Sequence, residues 1–282
     1  MLVVGWWFAS AYAFAFIAWQ KVRKINRLLY NCDVENFLAV NQKIEQRERN
    51  KKRNEATLIN LTSAHLMLGN YATAGQLLSD IRTESFQKTR IGAVNELIYH
   101  NNYFAYYINT GDLTSAAQAL EQVERILQTR KLPKFYPEYC KDLHTRLQHL
   151  LKVESGNYDA AEELWFFAVV YAKNPRLVEK VSAKYVLGKI YLSQGQPDQA
   201  EKAFEYAVEN GGSSIYRARA IEQLEALGKT DFPPAPKKPP VKVFSTAERV
   251  VLILYCCAVV LAAIVLSGIF LHDMGAGMAM PP

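Results

Sequence analysis

The side chains able to do acid–base or metal chemistry in this chain are scattered rather than grouped. His144 and His149 are five apart, one more than the spacing of four that stacks two imidazoles on one helical face, and no His-Glu-x-x-His accompanies them. His65 and His100 stand alone on apolar-patterned segments. Cys32, Cys140, Cys256 and Cys257 form no Cys-x-x-Cys pair and read as reduced or lipid-buried thiols. Phosphate-binding loops, dinucleotide fingerprints, nucleophile elbows and Ser/His/Asp arrangements are all missing. The residue types therefore supply no catalytic group, no metal site and no cofactor, and point to a non-enzymatic protein whose work is done by its surface.

That surface must be carried by helices. A Gly followed by a short turn and then Ala recurs four times: Gly69 with Ala74, Gly111 with Ala116, Gly156 with Ala161, and Gly195 with Ala200. Glycine permits the positive φ that closes one helix, and the turn residues open the next. Each Gly thus joins two antiparallel helices, with the Ala small because neighbouring helices approach there. Apolar steps of three and four support a helix on both sides, as in Leu58, Leu61 and Leu68 before the first turn and Leu77, Leu78 and Ile81 after it. Pro133 and Pro137 precede a helix over 138–153, and Asn174-Pro175 ends the helix bearing Trp165, Phe166, Phe167 and Val170. Asp33 is placed to cap a helix carrying Val34, Phe37 and Leu38. A last amphipathic helix over 214–227 is placed to cover the end of the stack. The fold class is all-α.

From Lys184 to Ala207, the residues Leu187, Gly188, Tyr191, Ala200, Phe204 and Ala207 stand at the spacing L-G-x2-Y-x8-A-x3-F-x2-A. This resembles a tetratricopeptide repeat (TPR), a helix-turn-helix unit whose stacked copies form a protein-binding superhelix. The separations of the four turn glycines, 42, 45 and 39 residues, exceed the roughly 34-residue period of that family. In the third unit His149 and Lys152 replace the expected small and aromatic residues. The resemblance implies that the first helix of each hairpin lines a groove, so that Asn101, Asn109, Arg146, Tyr185 and Lys189 face a bound segment. Asn can hold a peptide backbone through donor and acceptor together, whereas Arg and Lys favour carboxylates.

The two ends read differently from the middle. Leu2 to Trp19 and Val250 to Leu271 are uncharged apolar runs, and a run of about 20 such residues crosses a bilayer. The first also fits a cleaved signal peptide with Ala11-Tyr12-Ala13 as the processing site, but no basic residue precedes it. Lys21, Arg23, Lys24 and Arg27 follow the first run, and Lys237, Lys238, Lys242 and Arg249 precede the second. The positive-inside rule then puts the middle in the cytoplasm and both termini outside. Small residues four apart, Gly5, Ala9 and Ala13 and also Ala258 and Ala262, would let such spans pack closely. The basic flanks, part of a formal net charge of +6, suit anionic lipid. No interleaving of basic and stacking aromatic residues supports nucleic-acid binding.

The expected organisation is a transmembrane helix over 1–20, a basic juxtamembrane helical segment over 21–54, and a TPR-like solenoid of about four hairpins plus a capping helix over 55–228. A Pro-rich spacer over 229–244, a second transmembrane helix over 245–272 and a short extracytoplasmic tail over 273–282 complete it. The expected function is a scaffold or adaptor, anchored in the plasma membrane, that binds protein or peptide partners at its cytoplasmic face. The alternative is an assembly subunit of a membrane complex whose contacts run through the spans. Oligomeric state is not readable.

Overall fold

The computed structural model describes residues 20–48, 54–88, 90–133, 137–171, 176–236 and 238–241. The chain divides into two units, residues 27–239 and a second made of 1–26 with 240–282, of which only 20–26 and 240–241 are described. The larger unit is all-α, with no strand among its described residues. Residues 20–30 are helical (α1), followed by α2 (Val34–Glu48), α3 (Glu55–Met67), α4 (Tyr71–Asp80), a 3-10 turn (Thr83–Lys88) and α5 (Arg90–Thr110). Then come α6 (Leu113–Thr129), α7 (Pro137–Ser155), α8 (Ala160–Trp165) running into a π-helical turn (Phe166–Val170), α9 (Leu177–Ser193), α10 (Pro197–Asn210) and α11 (Ile215–Ala226).

Helices α3 to α10 form four hairpins, each turned at one of the glycines singled out by the sequence. Gly69, Gly111, Gly156 and Gly195 have φ of 77°, 82°, 72° and 67°, a region that a Cβ disfavours. At Gly195 the closing bonds are those of a Schellman cap: Gln196 N donates to Tyr191 O (2.9 Å) and Gly195 N to Leu192 O (3.0 Å). The same pair of bonds forms at Gly69 and Gly111. Ala74, Ala116 and Ala200 are each fully buried, as the repeat pattern requires. Gly188 is needed for a second reason. A Cβ there would lie 2.4 Å from Phe204 Cε1, because the ring of α10 rests directly on the backbone of α9.

The third hairpin departs from this pattern, and the reason is local. Helices α4, α6 and α10 begin two residues after their glycines, at Tyr71, Leu113 and Pro197, whereas α8 begins four after Gly156, at Ala160. Asp159 has become the N-cap and accepts from Glu162 N at 2.8 Å, while Asn157 N turns to Ser155 Oγ at 3.4 Å. The corresponding residue of the first hairpin is Ala72, which has no capping oxygen. The buried positions of α8, the second helix of this hairpin, therefore slide by two. Ala161, expected at the close helix approach, is exposed, and Glu163 occupies the buried position held by Ala74, Ala116 and Ala200 elsewhere.

The end of the stack is tied back to its beginning. Helix α11 packs on α10 and α9, and its N-cap is Ser214. Ser213 N donates to Cys32 O (3.1 Å), and Ser213 Oγ accepts from Val34 N (3.1 Å) and Glu35 N (3.3 Å). The first turn of α2 is thus capped from a distant part of the chain, while the Asp33 carboxylate accepts from the Asn36 amide instead. Cys32 makes the corner with φ of 56° and no exposed surface. The proline-rich residues that the sequence gives as a spacer run beside this corner. Lys238 Nζ donates to Asn31 O (2.9 Å), Asn36 Nδ2 to Pro239 O (3.1 Å) and Arg217 Nη2 to Pro233 O.

The expectation of an integral membrane protein with a cytoplasmic repeat domain, both termini outside and basic flanks on lipid requires correction. No helix among the described residues is long and apolar enough to cross a membrane. Even the longest, α5 with 21 residues, is interrupted by Glu96, His100, Asn101 and Asn102. The apolar segments on which that reading rests, with Gly5, Ala9, Ala13, Ala258 and Ala262, lie outside the described residues.

Candidate protein-binding surface

The first helices of the hairpins, α3, α5, α7 and α9, bring their polar residues together. Ser63 of α3 donates to Asn102 Oδ1 (3.0 Å), and Asn102 Nδ2 donates to Ile59 O (3.1 Å). Of the residues implied by the repeat resemblance, Asn109 accepts from Tyr71 OH (3.2 Å), and that hydroxyl in turn accepts from Arg219 Nη2 of α11 (3.0 Å). Arg146 donates to Glu179 Oε2 (2.7 Å) and Tyr171 OH (2.9 Å). Lys189 donates to Glu154 Oε2 (2.7 Å). Tyr185 is buried, its ring centroid 5.9 Å from those of Phe204 and Tyr216, and burial pushes its pKa up to about 12. Asn101 is half-buried on α5.

These pairings set the electrostatics of that face. Arg146 and Lys189 each already face a carboxylate, Glu179 and Glu154, so neither is offered unpaired to an acidic segment. A ligand there would have to break charge-assisted bonds made within the chain. The His100 imidazole, lowered by burial and by the Arg125 charge to about 4, adds no cation at neutral pH.

The two-residue slide of α8 creates a different surface. Trp165 takes the position filled by Gln76, Gln118 and Lys202 in the other hairpins, and like them it is exposed. A tryptophan exposed by 60% has an apolar face without cover, and Val169, one turn on, is 43% exposed. Ala161 and Ala168 are also exposed. The four lie at i, i+4, i+7 and i+8 from Ala161, the stripe an amphipathic helix presents to a partner. Along the π-helical turn from Phe166 to Val170, which holds more residues per turn than an α-helix, Phe166 and Phe167 point inward while this stripe faces out.

The inner side of α8 is as unusual as its outer side. His149 Nδ1 lies 2.9 Å from both oxygens of Glu163, which has no exposed surface. The His149 ring stacks on Phe166, with centroids 3.7 Å apart and planes at 18°. Lys152 donates to Glu162 Oε1 (3.0 Å), which holds its ammonium above the usual lysine pKa, and stands 3.9 Å from Glu163. Residue type alone marks neither Glu163 nor Trp165 as a site. The available signal was the capping-box spacing of Asp159 and Glu162, which moves the helix start.

Comparison with known proteins supports the repeat reading for the C-terminal part of the chain. A family model described as tetratricopeptide repeat matches residues 150–215 and again 185–229, spanning the end of α7 through α11. No curated protein and no solved structure matches. The chain thus carries TPR-like repeats, which generally mediate protein–protein interaction.

Proposed function

We propose that this chain is a non-enzymatic scaffold that holds a protein partner, and that the partner presents an amphipathic helix to the outer stripe of α8. The repeat architecture supports the class of work. The observation that carries the placement is Trp165, an exposed indole where the other hairpins have Gln or Lys. Covering the exposed part of an indole removes on the order of 150 Å² from water, and at about 25 cal/mol per Å² that is roughly 3–4 kcal/mol before association costs. Tryptophans with such burial dominate interface energies. The first-helix face is the poorer candidate because Arg146 and Lys189, the cations a carboxylate ligand would use there, are already paired with Glu179 and Glu154.

The test compares two sets of variants in the full chain. Trp165→Ser with Val169→Ser should abolish co-purification of the partner and leave the helical circular dichroism unchanged. Asn101→Ala with Lys189→Ala should leave it intact. The reverse pattern would move the partner to the first-helix face.

A further inference from the structure

In three hairpins the residue seven before the turn glycine is small or apolar, Thr62, Phe104 or Gly188, and the first buried residue of the following helix is an alanine, Ala74, Ala116 or Ala200. The third hairpin places His149 and Glu163 at these positions. Burying a carboxylate costs several kcal/mol of desolvation unless it is compensated, and the other three hairpins show that the repeat does not need one there. The charge at this layer has to be accounted for by something other than packing.

We infer that His149, Glu163 and Glu162 form a binding site for a divalent transition-metal ion of the Zn²⁺ type. One ligand atom from each of the three residues lies within 4.8 Å of the others. Zn²⁺ bonds of about 2.0–2.2 Å to nitrogen and oxygen need ligand atoms a little over 3 Å apart, so small rotations of the exposed Glu162 side chain close the set. One imidazole and two carboxylates suit a borderline cation better than a purely oxygen-seeking one. Glu163 is fully enclosed and Phe166 stacks flat on the imidazole, so two of the three ligands are held in place. Glu162, with 51% of its side chain exposed, leaves a route of entry.

The spot already holds a cation. The Lys152 ammonium, on a 45% exposed side chain, sits 3.0 Å from Glu162 and 3.9 Å from Glu163. With its side chain partly exposed, this ammonium can be displaced into solvent by the metal ion. The longer third turn brings Glu162 and Glu163 into place together, because the slide that buries Glu163 sets Glu162 on the rim beside His149.

Titration of the full chain with ZnSO4, followed by calorimetry, tests this. The native chain should bind Zn²⁺ saturably. Glu162→Gln, a change at an exposed residue that leaves the fold intact, should weaken binding at least tenfold, and His149→Ala should do the same. Lys152→Gln should tighten it severalfold by removing the competing ammonium. Absence of saturable binding in both the native chain and the Lys152→Gln variant overturns the inference. So does an affinity unmoved by Glu162→Gln, which would place the ion elsewhere, or unmoved by Lys152→Gln.

Discussion

Replacing His149 and Glu163 singly and together with alanine tests whether the slid register of α8 is held by this pair. The measurement is urea unfolding in the presence of a chelator, so that only the protein's own contact is read. Glu163 is completely buried and His149 is 14% exposed, with 2.9 Å between Nδ1 and each carboxylate oxygen. Removing one partner of a buried pair costs about 3–5 kcal/mol when nothing compensates. Compensation here is partial, since Lys152 stays 3.9 Å from Glu163 after His149→Ala. We expect about 2–3 kcal/mol for each single change, His149→Ala including the loss of its stack on Phe166. The double variant leaves no unpaired group and should cost clearly less than the sum, with a coupling energy of about 2 kcal/mol. For a domain of this size, each kcal/mol corresponds to about 2–4 °C in Tm. Single changes that add within about 0.5 kcal/mol would show that the pair makes no net contribution, and that Asp159 alone fixes the register.

Gly188→Ala should destabilise by about 1–3 kcal/mol despite the better helix propensity of alanine, because its Cβ would press on the Phe204 ring from 2.4 Å; chemical denaturation reads this, and a neutral or stabilising result would refute the close approach of α9 and α10. Burial lowers the His100 pKa to about 4 from 6.5, so its stability contribution is complete above pH 6.5 and is lost as pH falls towards 4; Tm should drop across that window, and less so in His100→Gln. Burial raises the Cys32 thiol to about 12, so in a chain with the other cysteines replaced by serine its alkylation at pH 8 should wait for unfolding; rapid modification of the folded chain would contradict the packing of this corner on Gly212.

Much of the fold is legible in the sequence because glycine and alanine speak through backbone geometry. Gly69, Gly111 and Gly195 close their helices, and Ala74, Ala116 and Ala200 go to the core, since a positive φ and a close helix approach tolerate few other residues. Ala161 misleads for an equally physical reason. The competition between Asn157 and Asp159 for the N-cap is settled by hydrogen bonds a spacing rule does not weigh, and two residues of slide exchange Ala161 for Glu163 inside and leave Trp165 outside. The pairing of Arg146 with Glu179 and of Lys189 with Glu154 was not legible either. These are contacts between neighbouring hairpins, and their register follows from those same turns. The membrane reading rested on the two terminal runs, outside the described residues, and none of the described helices has the length and apolarity of a span.

The central claim, that the outer stripe of α8 holds the partner, is tested most directly by placing a photo-crosslinking amino acid at Ala168, exposed beside Trp165 on that stripe, in one full-length chain and at Lys189 in another. The account predicts a discrete, partner-sized adduct from position 168 and none from position 189. An adduct from position 189 alone would contradict it.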